Sequence, residues 1–387
     1  MMNKGVTAAT FFKGDRARGA ATLRTRLGEV LTVNPWLSGT FVKAKTYGAR
    51  AELSVPFKPD VDTVFFDSAD HEILPDVTYV EMERTSREKL KAVVDNGPYL
   101  INKGVPVTKL TVFRAGPGGW GFILSISHSA VDGNSFYRVL DMLSPANPLV
   151  ALTLPRVMAF PELANEALGK AEQHYTTSAP LIMNMVGSMV KTVACGGVKC
   201  SAYYVDPSRV EAAKGKAKAG GAVEFVSTND LLTSAFINAS KPLVTMTAIN
   251  LRDKIEGIGA DLAGNYEAAL LLDRESGATP ALVRQSLAAR RRVSGASLPG
   301  FCQTVGMKTA LFTSWVFPLA LELEGHERGL HLPLYNVAQI PLDMAIPFRP
   351  LPGRLAAMYW SKRLDQDALV GAADSVLGEA VDSAVFG

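Results

Sequence analysis

The residues whose types and spacing could do chemistry lie in one short run, Ser127-His128-Ser129-Ala130-Val131-Asp132-Gly133. An unperturbed imidazole has a pKa of ~6.5, so near neutrality it can take a proton from an attacking hydroxyl or amine and return it to a leaving group. Gly133 permits a tight or left-handed backbone directly after the aspartate. By itself His-x-x-x-Asp-Gly is a short pattern. A lone histidine is commonly a structural hydrogen-bonder, and Asp-Gly is commonly just a turn.

The flanking residues supply what such a histidine needs. Phe122 to Ile126 is an apolar run that reads as a buried strand. Residues 134–143 carry apolar side chains at helical spacing, with Asn134 or Ser135 as N-cap. The unit is strand, His-bearing turn, helix, which aims His128 into whatever cleft lies at the strand end. Upstream, Leu110–Phe113 reads as a strand joined to it through Gly116-Pro117-Gly118-Gly119, strong hairpin punctuation.

Along the rest of the chain, a helix is expected over Arg18–Leu31, broken by Pro35, and another around Arg87–Asn96. Residues 143–200 are rich in proline and read as a long connection with helices over Pro161–His174 and Leu181–Val193. Strands are expected at Ala202–Val205, Val244–Ile249, Ala268–Leu272 and Gly353–Trp360. Helices are expected from Pro207, over Leu231–Ala239 behind the cap Ser227-x-x-Asp230, over Pro280–Arg292 and over Asp365–Val381. Lys214–Gly221 reads as a basic, solvated surface loop, since no nucleotide-binding glycine pattern accompanies it. Strands and helices alternate through both halves, which predicts two α/β layers of mixed sheet.

Composition excludes several classes. With 40 basic and 37 acidic residues the net charge is +3, far from the basic face a nucleic-acid binder needs. Three cysteines (Cys195, Cys200, Cys302) in 387 residues cannot build a disulfide framework and suggest a reducing, cytoplasmic setting. Cys195 and Cys200 have no second pair and no nearby histidine, so no metal site is expected. No apolar stretch reaches the ~20 residues that span a bilayer.

The collinear order of signals resembles the BAHD acyltransferases of the chloramphenicol-acetyltransferase-like superfamily. The matching residues are Asn34-Pro35-Trp36-Leu37-Ser38-Gly39, then Gly118-Gly119 ahead of His128-x-x-x-Asp132-Gly133, then Ser135-Phe136. They continue with Ser227-Thr228-Asn229-Asp230-Leu231-Leu232-Thr233, Asn250-Leu251-Arg252, Gly264-Asn265 and Thr313-Ser314-Trp315. The resemblance implies two similar α/β halves, each a mixed sheet with flanking helices, and an active-site channel at their interface. Residues 1–150 would form the half carrying the histidine, 151–200 the crossover, and 201–387 the second half. It also implies an acyl-CoA-dependent enzyme of secondary metabolism, acting as a cytoplasmic monomer on a small-molecule alcohol or amine. Acyl-CoA would be a co-substrate, with no further cofactor. His128 would be the general base and Asp132 an orienting residue paired with Arg252. Gly133 and Asn265 would support the site. Ser227, Thr228, Thr313, Ser314 and Trp315 would meet substrate, CoA or the oxyanion.

The chain departs from the family where Asp-Phe-Gly-Trp-Gly is expected: the corresponding region reads Glu322-Leu323-Glu324-Gly325-His326. That difference bears on acyl-donor handling and marks a divergent branch. Two alternatives follow from the same fold. One is a condensation-type enzyme using a carrier-bound acyl group, although such enzymes usually show two adjacent histidines where Ser127 precedes His128 here. The other is a binding protein without activity.

Overall fold

The computed structural model describes residues 5–45, 50–74, 76–194, 198–304, 309–336, 342–361, 364, 366–372 and 374–386. The strands, in chain order, begin with β1 (Val6–Lys13), β2 (Thr40–Lys43), β3 (Ala51–Ser54), β4 (Phe65–Glu72), β5 (Thr108–Arg114) and β6 (Gly119–Ile126). They continue with β7 (Lys199–Val205), β8 (Val244–Asn250), β9 (Glu267–Leu272), β10 (Thr309–Phe312) and β11 (Glu327–Pro333). The last are β12 (Asp343–Leu351), β13 (Arg354–Ser361) and β14 (Leu377–Ala380). Among the described residues they form a five-stranded sheet, β11-β1-β6-β5-β4, a seven-stranded sheet, β14-β7-β13-β12-β10-β8-β9, and the two-stranded ribbon β2-β3. Both large sheets mix parallel and antiparallel pairs: β4 runs parallel to β5 and β10 to β12, against antiparallel β5–β6 and β12–β13.

Strand β1 lies inside the first sheet, between β6 and the edge strand β11. Its sequence, VTAATFFK, carries no period-2 pattern because Val6 to Phe12 are all buried, threonines included. Those threonines are satisfied by side chains: Thr7 Oγ1 lies 2.7 Å from Ser125 Oγ, and Thr10 Oγ1 lies 2.9 Å from His331 Nδ1. Strand β11 comes from far along the chain, beyond most of the second sheet, yet completes the first sheet by pairing Leu332 with Ala9. The two sheets also share one apolar core. Met344, Ile346 and Phe348 of β12 pack into it with Phe122 and Leu124 of β6, while Ala345 faces the opposite layer with Phe236 and Tyr359. This is the two-residue alternation of a strand covered on both faces.

Several elements differ from the sequence expectation. The helix expected around Arg87–Asn96 ends at Glu88 and begins earlier, at Tyr79, where Thr78 accepts from Glu81 N as N-cap. The basic segment from Lys214 to Ala219 is not a loop: the helix Pro207–Ala219 runs through it, with Lys216 and Lys218 on solvent. The helix from Pro280 stops at Ala289, because Arg290 adopts a left-handed φ of 53°. Arg292 then turns inward to pair with Glu172 and Asp273 at 2.8 and 2.9 Å. The expected closing helix is a short helix, Gln366–Gly371, followed by the edge strand β14; Asp365 lies outside the described residues. Among the described residues no helix is long and apolar enough to cross a membrane. The crossover holds helices Phe160–Leu168, Lys170–Thr176 and Ala179–Ala194.

Candidate active site

The turn after β6 is built from local hydrogen bonds. Ser127 O accepts from Ala130 N at 2.8 Å and from Val131 N at 3.2 Å, which bends the chain and leaves His128 and Ser129 on the corner. From the crossover, Arg156 Nη2 donates to Ser129 O and Ala130 O at 2.7 and 3.2 Å and clamps that corner in place. The following helix, Gly133–Asp141, is capped by Asp132, whose Oδ1 accepts from Ser135 N at 2.9 Å. The cap is therefore the aspartate of the motif, ahead of the Asn134 or Ser135 expected from pattern. Asp132 is the better cap because its ionised carboxylate meets the positive end of the helix.

That carboxylate has a second partner. Arg252, at the end of β8 in the other sheet, donates from Nη1 to Asp132 Oδ2 at 2.6 Å and from Nη2 to Oδ1 at 3.3 Å. Their side chains are 2% and 1% exposed. A buried pair is tolerable only when its remaining polar positions are filled, and here they are. Tyr266 N donates to Asp132 Oδ2 at 2.9 Å, and Arg252 donates to Leu262 O, Gly264 O, Ser135 Oγ and Asn250 Oδ1. Gly264 O also accepts from Asp132 N at 3.0 Å. Gly264 has a φ of 140°, and a Cβ there would lie 3.0 Å from the Tyr266 ring and 3.1 Å from the Arg156 guanidinium, so only glycine fits. This clamp ties the histidine turn of the first sheet to the β8–β9 connection of the second.

His128 sits just outside the clamp with a side chain 29% exposed. Its Nδ1 lies 2.9 Å from Val131 O. A carbonyl can only accept, so Nδ1 carries the hydrogen and the neutral ring keeps Nε2 bare. Facing Nε2 at 3.6 Å is Oε1 of Glu267, the first residue of β9. Burial pushes the Glu267 carboxyl above its ordinary range; His128 and Arg252 pull it back and Asp132 adds to the rise. Sequence reading missed both Arg156 and Glu267. The signal for Glu267 was a carboxylate opening the otherwise apolar strand EAALLL, directly after Gly264-Asn265-Tyr266.

The other expected residues fall into two groups. Gly133, Asn265 and Trp315 lie around the motif. A Cβ on Gly133 would press on the Phe317 ring at 3.1 Å, Asn265 Oδ1 is buried without a protein partner, and Trp315 packs on Phe136 and Tyr137 of the motif helix. Thr313 and Ser314 are half-buried on the extension of β10, where Thr313 N and Trp315 N donate to Ala345 O and Pro347 O of β12. Ser227 and Thr228 instead start the helix Thr228–Ser240, where Ser227 and Asp230 form a reciprocal capping box. Asp230 is fully buried and paired with Arg284 at 2.6 Å, so this segment is braced against helix Pro280–Ala289. No group of three His, Cys, Asp or Glu side chains among the described residues could hold a metal ion. Cys195 lies outside the described residues, Cys200 and Cys302 are free thiols, and burial pushes the Cys200 thiol up.

These sheets, with a strand exchanged from the second half to the first and a histidine turn at their junction, define a chloramphenicol-acetyltransferase-like two-half α/β fold. Among solved structures, the chain matches F. graminearum TRI101, solved with coenzyme A and T-2 mycotoxin, at 18% identity and a TM-score of 0.62, covering 96% of this chain and 95% of that one. It matches the first condensation domain of the CDA synthetase at 14% identity and a TM-score of 0.53, covering 99% and 93%. SgcC5 from Streptomyces globisporus matches at 14% identity and a TM-score of 0.51, covering 97% and 91%. No protein-family model and no curated relative matches the chain.

Proposed function

We propose that this chain is an acyl-CoA-dependent acyltransferase of the BAHD type, moving an acyl group from a thioester to a hydroxyl or amine of a small molecule. The observation that carries the reading is the tautomer of His128: with Nδ1 committed to Val131 O, Nε2 of the partly exposed side chain is the one left to accept a proton. His128 Nε2 takes the acceptor's proton as the new oxygen– or nitrogen–carbon bond forms at the thioester carbonyl. The tetrahedral intermediate collapses, the carbon–sulfur bond breaks, and the imidazolium returns the proton to the thiolate. General-base assistance of this kind contributes roughly 10²–10⁴-fold. The thioester is already activated, so the step needs no covalent enzyme intermediate and no metal.

Asp132 serves by position. Locked to Arg252 and to the helix N-terminus, it holds the turn that presents His128 and does not itself meet the acceptor. Thr313 and Ser314 are the proposed contacts for CoA or the oxyanion. The likeness to a protein solved with coenzyme A supports the donor. Purified protein should release free thiol from acetyl- or longer acyl-CoA when offered a panel of alcohols and amines, and His128→Ala should abolish the release. Activity retained in that variant would remove the general-base role. The likeness to a condensation domain supports a second reading, in which the acyl group arrives on a carrier protein. Transfer from an acylated carrier, with none from free acyl-CoA, would select it.

A further inference from the structure

We propose that Glu267 is the carboxylate partner of His128, facing its reacting nitrogen and stabilising the imidazolium formed during transfer. The inference rests on the acyl-transfer reading and deepens it. Its basis is a geometric conflict. The Val131 carbonyl fixes the hydrogen on Nδ1, so in the neutral ring Nε2 presents a lone pair, and Glu267 Oε1 sits 3.6 Å away with lone pairs of its own. Two bare acceptors side by side gain nothing; one proton on either of them turns the contact attractive. The arrangement is made for a site that holds one such proton part of the time.

The surroundings favour that behaviour. Glu267 and His128 are each about 30% exposed, open enough for an acceptor to reach Nε2. The titratable and charged groups acting on Glu267 are His128, Asp132 and Arg252, and Glu267 in turn acts on the buried phenol of Tyr335. Arg252 makes its bidentate pair with Asp132, and Glu267 is the carboxylate that faces His128 Nε2. As the acceptor's proton moves to Nε2, the new imidazolium lies against that carboxylate; the charge disappears when the proton passes to the leaving sulfur. Glu267 gains and loses no atom over the cycle, and its stabilisation is largest when the ring is charged, which is the condition for catalysis.

The test combines a rate profile with a direct titration. Glu267→Gln keeps the shape and removes the negative charge. It should lower the plateau of kcat/KM about tenfold and move the acid limb of the profile toward lower pH, because the charged ring no longer has its partner. Glu267→Asp should recover part of the plateau. In parallel, the Glu267 carboxyl is followed by 13C NMR, with the variant supplying the assignment and no acyl donor present. Its midpoint should lie above the ordinary carboxyl range and rise further in His128→Gln, where the cation that lowers it is gone. A midpoint indifferent to His128→Gln overturns the pairing, and a Glu267→Gln plateau within twofold of wild type with an unmoved acid limb overturns its part in catalysis. A wild-type protein that transfers no acyl group overturns the acyl-transfer reading instead, and the carboxyl titration still decides the pairing.

Discussion

Two histidines, His331 on a strand of the first sheet and His128 on the turn after β6, hold the same side chain in opposite settings. His331 on β11 is buried, with Nδ1 2.9 Å from Thr10 Oγ1 and Nε2 3.0 Å from Tyr137 OH. Hydroxyls donate or accept, so either tautomer is satisfied and both nitrogens are occupied. Burial pushes that imidazole down to about 3, with the Arg328 guanidinium adding to the shift, and His331 stays neutral as a crosslink between β1, β11 and the motif helix. His128 has one nitrogen held by a carbonyl, which dictates the tautomer, and the other turned toward a carboxyl in a partly open site. The histidine proposed to react is thus marked by a partner that cannot reverse its hydrogen bond, and the structural one by partners that can.

The largest expected break in this contrast is at His128. His128→Gln should fold normally and lose roughly 10²–10⁴-fold in thiol-release activity, whereas His331→Gln should retain most of its turnover. Next comes the clamp behind the turn. Asp132→Ala leaves Arg252 buried and uncompensated and should cost about 3–5 kcal/mol in denaturant unfolding. The double variant Asp132→Leu with Arg252→Met should lose less stability than the single one, since it removes both charges.

A pH series isolates His331. In the unfolded chain an imidazole titrates near ~6.5, and in the folded chain this one titrates at about 3. Between those values the unfolded chain binds the proton and the folded one does not, so stability is present above ~6.5 and falls as pH drops, by up to ~1.4 kcal/mol per unit. Wild type should lose up to about 3 kcal/mol from this group between pH 7 and 4.5. His331→Gln should start lower, by about 1–3 kcal/mol for its disturbed hydrogen bonds, and show a flatter pH dependence. The smallest effect is expected at Ser227→Ala, where losing one half of the capping box should cost about 1 kcal/mol in the same unfolding assay.

Much of the site was legible in sequence because its chemistry is local. The strand–turn–helix unit is contiguous, although the cap expected at Asn134 or Ser135 is Asp132, just ahead of them. The pairing of Asp132 with Arg252, 120 residues apart, was expected through family resemblance, and the structure has that bond. Glu267 and Arg156 carried no comparable signal, since each matters only for what folding places beside it. Strand β1 was passed over because a strand buried on both faces in small and hydroxylated residues shows no alternation. The lysine-rich end of helix Pro207–Ala219 read as loop because its charge and glycine outweighed a capped, amphiphile-poor helix.

The sequence by itself determined the elements around the histidine and the alternation of strands and helices in two halves. Those features depend on neighbours within a few residues, where propensity and periodicity act. Tertiary structure decided which carboxylate faces His128 and that β11 crosses to complete the first sheet. Each of these is a contact between segments far apart in the chain. Such contacts are set by packing and by the satisfaction of buried polar groups, which no local pattern encodes.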